Sequence, residues 1–307
     1  MINDTTMNKP STFSIWITTA RPKTLPLALA SILVGAALAS SVGAFNGITT
    51  FLAFLTTLLL QILSNFANDY GDHIQGSDTA ERIGPLRAIQ QGEITKEQLK
   101  KAIYILISLV LISGFTLLIY AYQSWQDLFV FSLLGFLAII SAITYTVGNK
   151  PYGYLGLGDM SVLLFFGFLA VLGTFYLQTH YLSLTLLLPA FGCGLLSVAV
   201  LNINNLRDIE QDRSAGKNTV VVRIGAENGR IYHFILLTLA VTSYLLFAIF
   251  TQHTWQSFLF LGTTPLLLKH AITVYQYKEP KQLRPQLGKM AGLALITNII
   301  FSLGINL

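Results

Sequence analysis

Two clusters of oxygen-bearing side chains stand out in this chain. The first reads Asn65-Phe66-Ala67-Asn68-Asp69-Tyr70-Gly71-Asp72, followed by Gly76-Ser77-Asp78. The second reads Asn204-Asn205-Leu206-Arg207-Asp208, followed by Asp212. Residues three, four and seven apart share one face of a helix. The spacing therefore predicts one polar stripe from Asn65, Asn68, Asp69 and Asp72. It predicts a second from Asn204, Asp208 and Asp212, at four-residue intervals. Such oxygen ligands suit Mg²⁺, which keeps several waters and binds through one or two carboxylates plus substrate phosphates. Two rows of this kind, facing each other, could clamp a diphosphate between metal ions.

Helices must hold both rows, and the rest of the sequence supplies membrane helices. Of the 307 residues, 53% are hydrophobic and 11% charged, and the mean hydropathy is +0.62. A soluble domain carries about a quarter of its residues as Asp, Glu, Lys or Arg, so this chain has too few charges to cover a water-facing surface. Crossing a bilayer takes about 20 apolar residues. Such runs are predicted near Leu25–Ala39, Ile48–Asn68, Ala102–Tyr122, Leu128–Val147, Met160–Leu177, Leu182–Ile203, Ile231–Phe250, Trp255–Tyr275 and Met290–Ile305. The fold class is all-α, a polytopic membrane bundle of about nine transmembrane helices. Residues 1–307 form one membrane domain behind a flexible N-terminal tail of residues 1–15. The first and last runs are short, which leaves eight spans open. Short connecting loops make neighbouring helices antiparallel.

Lys and Arg decide the orientation. They gather ahead of the first run, in the even-numbered loops and on the flanks of those loops. The odd-numbered loops Ser40–Gly47, Gln123–Asp127, Gln178–Leu182 and Thr251–Thr254 contain none. Cytoplasmic loops carry the Lys/Arg excess, which places the N-terminus, the even loops and both clusters on the cytoplasmic side. The net charge of +5 is thus a topological signal and no argument for nucleic acid. Cys193 stands alone, which excludes an internal disulfide or a Cys-based metal site. His73, His180, His233, His253 and His270 show no pairing at ligand spacing. Gly35, Gly173, Gly192 and Gly194 are read as permitting close helix packing, and Pro189 and Pro265 as kinking their helices.

Either cluster alone has a plainer reading, a solvated polar loop at the membrane surface. Two clusters on one side, both at helical spacing, favour function, because inward-facing ionisable groups at membrane helix ends are functional by default. Carboxylates at a helix C-terminus also meet the negative end of the helix dipole, so something cationic must offset them. Arg82 and Arg87 follow the first cluster, and Arg207, Arg213, Lys217 and Arg223 lie in or after the second. Lys150 sits in the turn Gly148-Asn149-Lys150-Pro151-Tyr152-Gly153, with Asp159 close behind. Anchoring to the cytoplasmic face explains any one of these cations equally well.

Asn68-Asp69-x-x-Asp72 with Asp208-x-x-x-Asp212 resembles the UbiA superfamily of intramembrane prenyltransferases, and the likeness covers essentially the whole chain. Four stretches look like its menaquinone-pathway branch, the 1,4-dihydroxy-2-naphthoate polyprenyltransferases. They are Ala20-Arg21-Pro22-Lys23-Thr24-Leu25-Pro26, Asn68-Asp69-Tyr70-x-Asp72 with Gly76-x-Asp78, Arg82-Ile83-Gly84-Pro85-Leu86-Arg87-Ala88, and the run from Lys150 to Asp159. The wider family often has a third Asp four residues after the second. Here that position is Gly76, and Asp78 is a further candidate ligand.

The resemblance implies joining of a polyprenyl chain to 1,4-dihydroxy-2-naphthoate, with release of diphosphate and CO₂, to give a demethylmenaquinone. It implies Mg²⁺, as two ions bridging the diphosphate, held by Asn68, Asp72, Asp208 and Asp212 with Asn65 and Asp69 in support. Lys150, Arg207 and Lys217, with Arg82 and Arg87, would hold the diphosphate, and Lys150 would join Asp72, Asp208 and Asp212 in catalysis. Tyr145 and Phe66 would shield the allylic cation, and Arg21 or Lys23 would meet the acceptor carboxylate. A groove opening sideways to membrane lipid would admit the prenyl tail. A related enzyme for 4-hydroxybenzoate, homogentisate or haem shares the metal motifs, and only the stretches around Arg21, Arg87 and Lys150 argue against it. A secondary transporter would bind near the bilayer midplane at interrupted helices, whereas these acidic residues lie at one interface.

Overall fold

The computed structural model describes residues 11–77, 83–251 and 254–307. Among them are twelve α-helices and no strand, so the all-helical expectation is met. In chain order they are α1 (Thr12–Ala20), α2 (Leu25–Ser41), α3 (Gly47–Gln75), α4 (Lys96–Tyr120), α5 (Trp125–Thr144), α6 (Gly158–Val162), α7 (Gly173–Thr179), α8 (Leu187–Arg207), α9 (Ile209–Ser214), α10 (Val220–Thr251), α11 (Thr264–Tyr275) and α12 (Arg284–Gly304). A π-helical stretch, Leu163–Leu172, joins α6 to α7. Among the described residues eight continuous helical segments are long and apolar enough to cross a membrane, and a ninth span arises if α1 and α2, bent by 53° at their junction, count as one. These positions match the nine apolar runs closely. Residues 1–10 lie outside the described part, and Thr12 to Ile15, expected to be flexible, are helical. Ser11 caps a helix there, its side chain accepting from the Ser14 N–H at 3.2 Å.

Local chemistry sets the helix ends. Ser, Thr and Asn side chains satisfy the orphan N–H groups of a first turn, and Asn46, Thr95 and Ser124 do so for α3, α4 and α5. Gly76 ends α3 at a φ of 66°, a left-handed conformation natural to glycine. Both prolines fall where a 3-10 segment passes into α-helix within one span. Pro265 stands at the start of α11 and Pro189 in the first turn of α8, where a missing N–H costs nothing.

Close packing draws the bundle together. A Cβ on Gly35 would lie 2.5 Å from the Val171 carbonyl oxygen, and one on Gly194 would lie 3.0 Å from the Gly167 Cα. Gly192 faces the Tyr244 ring just as tightly, at 3.1 Å. Gly173 departs from the expectation, since its added Cβ would make only ordinary contacts, 3.7 Å from Phe131 and 4.0 Å from Leu169. Elsewhere Tyr244, Phe260 and Phe301 form a fully buried aromatic cluster, with Tyr244 stacked on Phe301 at 4.2 Å. Helix α12 packs on α2, so the first and last spans are neighbours. Gly35→Val is expected to cost about 1–3 kcal/mol through overpacking, read as a lower unfolding temperature in detergent. Gly135→Ala, whose Cβ would meet nothing within 4 Å, is expected to leave that temperature unchanged or slightly raised.

Candidate active site

The two predicted rows meet. Asn65, Asn68 and Asp72 from the end of α3, and Asn204, Asp208 and Asp212 from the end of α8 and from α9, line one cavity of about 540 Å³. Asp72, Asp208 and Asp212 are all buried, at 6%, 6% and 8% exposure. The second stripe does not lie on one continuous helix. Backbone at Asp208 (φ −101°, ψ 13°) separates α8 from α9. Hydrogen bonds from Asp208 N–H to Asn204 O (3.0 Å) and from Asp212 N–H to Asp208 O (2.8 Å) carry the four-residue repeat across that break. The side chains therefore stay on one face.

Asp69, Asp72 and Asp208 each carry a cation. Lys217 Nζ donates to Asp72 Oδ1 at 2.9 Å, and both side chains line the cavity. Tyr154 donates to the same oxygen at 3.1 Å, lies 2.8 Å from Ser77 Oγ, and places its ring under the Lys217 ammonium at 4.8 Å. Burial works against charge on Lys217, yet Asp72, Tyr154 and Asp212 outweigh it and hold its pKa above the ordinary lysine value. Burial, and then the Asp72 charge, push the Tyr154 hydroxyl up to about 12. The stretch after α5 reaches this position because Gly156 (φ 75°) lies against the Asn218 carbonyl, 2.5 Å from where a Cβ would be. Tyr154 O in turn accepts from Asn218 N–H at 2.9 Å.

Several predicted residues serve elsewhere. Asp69 does not line the cavity; it is 2% exposed and pairs with both Arg21 and Arg87, the latter at 3.1 Å. One residue of helix turns it about 100° from Asn68, toward the corner between α1 and α2. Arg21 occupies that corner in a left-handed conformation (φ 54°), and Asn65 holds it by donating to Ala20 O at 2.8 Å. Asn65 is thus engaged with backbone, although it borders the cavity. Arg207 does not line the cavity but grips Asp208, which does, through two bonds, Nε–Oδ1 at 2.7 Å and Nη2–Oδ2 at 2.5 Å, and donates to Asn204 Oδ1 at 2.8 Å. Lys150 and Lys23 are exposed and do not line the cavity. The turn after α5 directs Lys150 outward, and Tyr154 takes the inward position four residues on. Phe66 packs in the core against Trp16, with ring centroids 5.6 Å apart. Tyr145 does line the cavity, edge-on to Tyr152 at 5.3 Å. Asp78, Arg82 and His253 lie outside the described residues.

Sequence reasoning missed two features. The Arg21–Asp69–Arg87 triad leaves two guanidiniums on one carboxylate, with both arginines lining the cavity. His233 and His270, read as unpaired, meet at 3.4 Å between α10 and α11, away from the cavity. They are 37 residues apart, so no local spacing could reveal the pair.

The oxygen set suits Mg²⁺. Among the described residues no three of His, Cys, Asp and Glu gather closely enough to hold a metal by themselves. That agrees with an ion that takes one or two carboxylates here and fills its remaining positions from phosphate and water. The opposite end of the cavity is apolar, reaching Ile32, Ala53 and Leu177. A polar, carboxylate-lined head joined to an apolar well inside a bundle of membrane helices defines a membrane protein built for an amphiphile with a charged head and a long tail.

The chain belongs to the UbiA prenyltransferase family, which it matches over residues 28–293. It is 58% identical to the 1,4-dihydroxy-2-naphthoate octaprenyltransferase of Haemophilus influenzae, over 95% of each chain. It is 52% identical to the protein of the same name from Escherichia coli K12, over 94% of each. Its fold is similar to that of a UbiA homologue from Archaeoglobus fulgidus solved bound to GPP and Mg²⁺. That likeness has a TM-score of 0.60 at 15% identity and covers 94% of this chain and 100% of the other.

Removing one member of a buried charge cluster leaves its partners uncompensated, at a cost of about 3–5 kcal/mol. Asp69→Ala is therefore expected to lower stability by about that amount in a denaturant titration. Asp72→Ala, which strips one lysine of one partner, is expected to cost clearly less.

Proposed function

We propose that this protein transfers a polyprenyl chain from polyprenyl diphosphate to 1,4-dihydroxy-2-naphthoate, with loss of diphosphate and CO₂, in menaquinone biosynthesis. The observation that carries this reading is the joining of Asp72, Asp208 and Asp212 in one cavity that continues into an apolar well. The names of the Haemophilus influenzae and Escherichia coli relatives support the acceptor. The Mg²⁺ bound to the Archaeoglobus fulgidus homologue supports the metal.

Asp72 with Asn68 on one row and Asp208 with Asp212 on the other would hold two Mg²⁺ ions, which as Lewis acids would draw charge from the leaving diphosphate. Lys217 lies beside Asp72 and adds a preorganised cation for a diphosphate oxygen, in the manner that stabilises developing charge without reorganisation. The Tyr145 and Tyr152 rings face the cavity; they exclude water from the allylic carbon and offer π faces to its positive charge. Arg21 and Arg87 meet at Asp69 and both line the cavity, and they hold the acceptor carboxylate. The ring carbon bearing that carboxylate attacks the allylic carbon as the bond to diphosphate breaks. The carboxylate then leaves as CO₂, returning its electron pair to the ring, and its negative charge departs with the diphosphate. Atoms and charge balance without a general base, and no histidine among the described residues lines the cavity.

Lys/Arg-rich loops at the carboxylate end support a site on the cytoplasmic side of the inner membrane. Family membership argues against transport, and the acceptor separates this reading from enzymes for other aromatic acids. Purified protein with Mg²⁺, dihydroxynaphthoate and a polyprenyl diphosphate is expected to yield prenylated naphthoquinol and CO₂, and chelation by EDTA to stop it. 4-Hydroxybenzoate is not expected to substitute; equal turnover with it would overturn the acceptor assignment. Asp72→Ala and Asp208→Ala are expected to abolish turnover with membrane insertion intact, and near-normal rates in either would remove these residues from the mechanism.

A further inference from the structure

The cavity runs lengthwise through the bundle. Ala53 borders it at one end and Asp72 at the other, and nineteen residues of α3 separate them, about 28 Å at 1.5 Å per residue. Aromatic side chains wall the far end. Phe131 lines it and stacks on Tyr176 at 5.5 Å, and the Tyr176 hydroxyl donates to Asp127 at 2.7 Å. A prenyl tail longer than the cavity has to turn aside.

The wall between α4 and α5 is thin. Phe115 and Phe136 both line the cavity, yet they are 49% and 58% exposed, so the same side chains bound the interior and the outer surface. Each helix also carries a glycine on this wall, Gly114 on α4 and Gly135 on α5. Packing does not require either. A Cβ on Gly135 would meet nothing within 4 Å, and one on Gly114 would meet only Thr56 Cγ2, at 3.8 Å. Nor does the backbone require them, since neither has a positive φ. Glycine is among the least favourable residues inside a helix. Gly35 and Gly194 explain themselves by contacts that a Cβ would break; Gly114 and Gly135 do not. What they leave is open space at the cavity wall.

We infer that Gly114 and Gly135 set the width of the passage through which the polyprenyl tail leaves the cavity for lipid, and thereby allow prenyl chains longer than the cavity. This rests on the prenyl-transfer reading above. Side chains at these positions narrow the passage without touching the carboxylate end, so they discriminate by tail length alone.

The test compares geranyl diphosphate with an octaprenyl diphosphate, using the full-length protein in nanodiscs with Mg²⁺ and dihydroxynaphthoate. In Gly135→Leu and Gly114→Leu, kcat/KM for the octaprenyl substrate is expected to fall about tenfold or more, as pocket misfits of this size do. Turnover of geranyl diphosphate by the same preparations is expected to hold, which also certifies their fold and metal site. Gly135→Ala is expected to lie between the wild type and Gly135→Leu. Equal losses on both substrates would assign the glycines to packing, and full retention on both would send the tail elsewhere; either result overturns the inference. Failure of the wild type on both substrates would instead overturn the prenyl-transfer reading itself, and the inference with it.

Discussion

Carboxylates buried at the end of a membrane bundle must meet cations. An unpaired buried charge costs several kcal/mol, and Asp69, Asp72 and Asp208 are all at or below 6% exposure. Each has its partner: Arg21 and Arg87 on Asp69, Lys217 on Asp72, and Arg207 on Asp208. Those partners come from four separate stretches of chain. Satisfying them draws the α1–α2 corner, the segment between α3 and α4, and the segment between α9 and α10 onto one spot. The bend of 53° after α1 and the break at Asp208 are where the backbone gives way to let this happen.

The pairs differ in what they leave available. Arginine forms a rigid planar fork, whereas lysine is a point charge on a flexible stem. Arg207 holds both oxygens of Asp208 from outside the cavity, which fixes that carboxylate in direction. Lys217 touches one oxygen of Asp72 from within the cavity, a single contact about which its stem is free to turn. Tyr154 ties the two together by bonding to Asp72 while lying under Lys217. The polar head of the site is thus preorganised on the α8 side and adjustable on the α3 side.

Apolar walls complete the arrangement. The cavity passes from these carboxylates to Phe131, which Tyr176 and Asp127 back from behind. An amphiphile lying along it keeps its charged head among the cations and its tail in hydrocarbon. Chemistry that generates a carbocation gains from such a dry, aromatic-walled setting, because water would otherwise capture the cation.

Much of this was legible in the chain itself. Apolar runs of membrane length are local signals, and the bilayer leaves helices as the solution for such runs. Spans such as Trp255–Tyr275 therefore coincide with their predicted bounds. The stripes carrying Asn68, Asp72, Asp208 and Asp212 follow from helical periodicity alone. Periodicity does not say which neighbour a side chain turns to. Asp69 belonged to the same stripe by spacing, yet the tertiary fold gives it to Arg21 and Arg87. Lys150 looked well placed in its turn, yet the path of that turn exposes it and brings Tyr154 inward. His233 and His270 meet only because α10 and α11 pack together. Sequence by itself determined the helices, the membrane and the kinds of ligand atom present. The tertiary structure decided which charges cancel one another and which remain for a substrate, because pairing depends on distance in space across segments that the chain order keeps far apart.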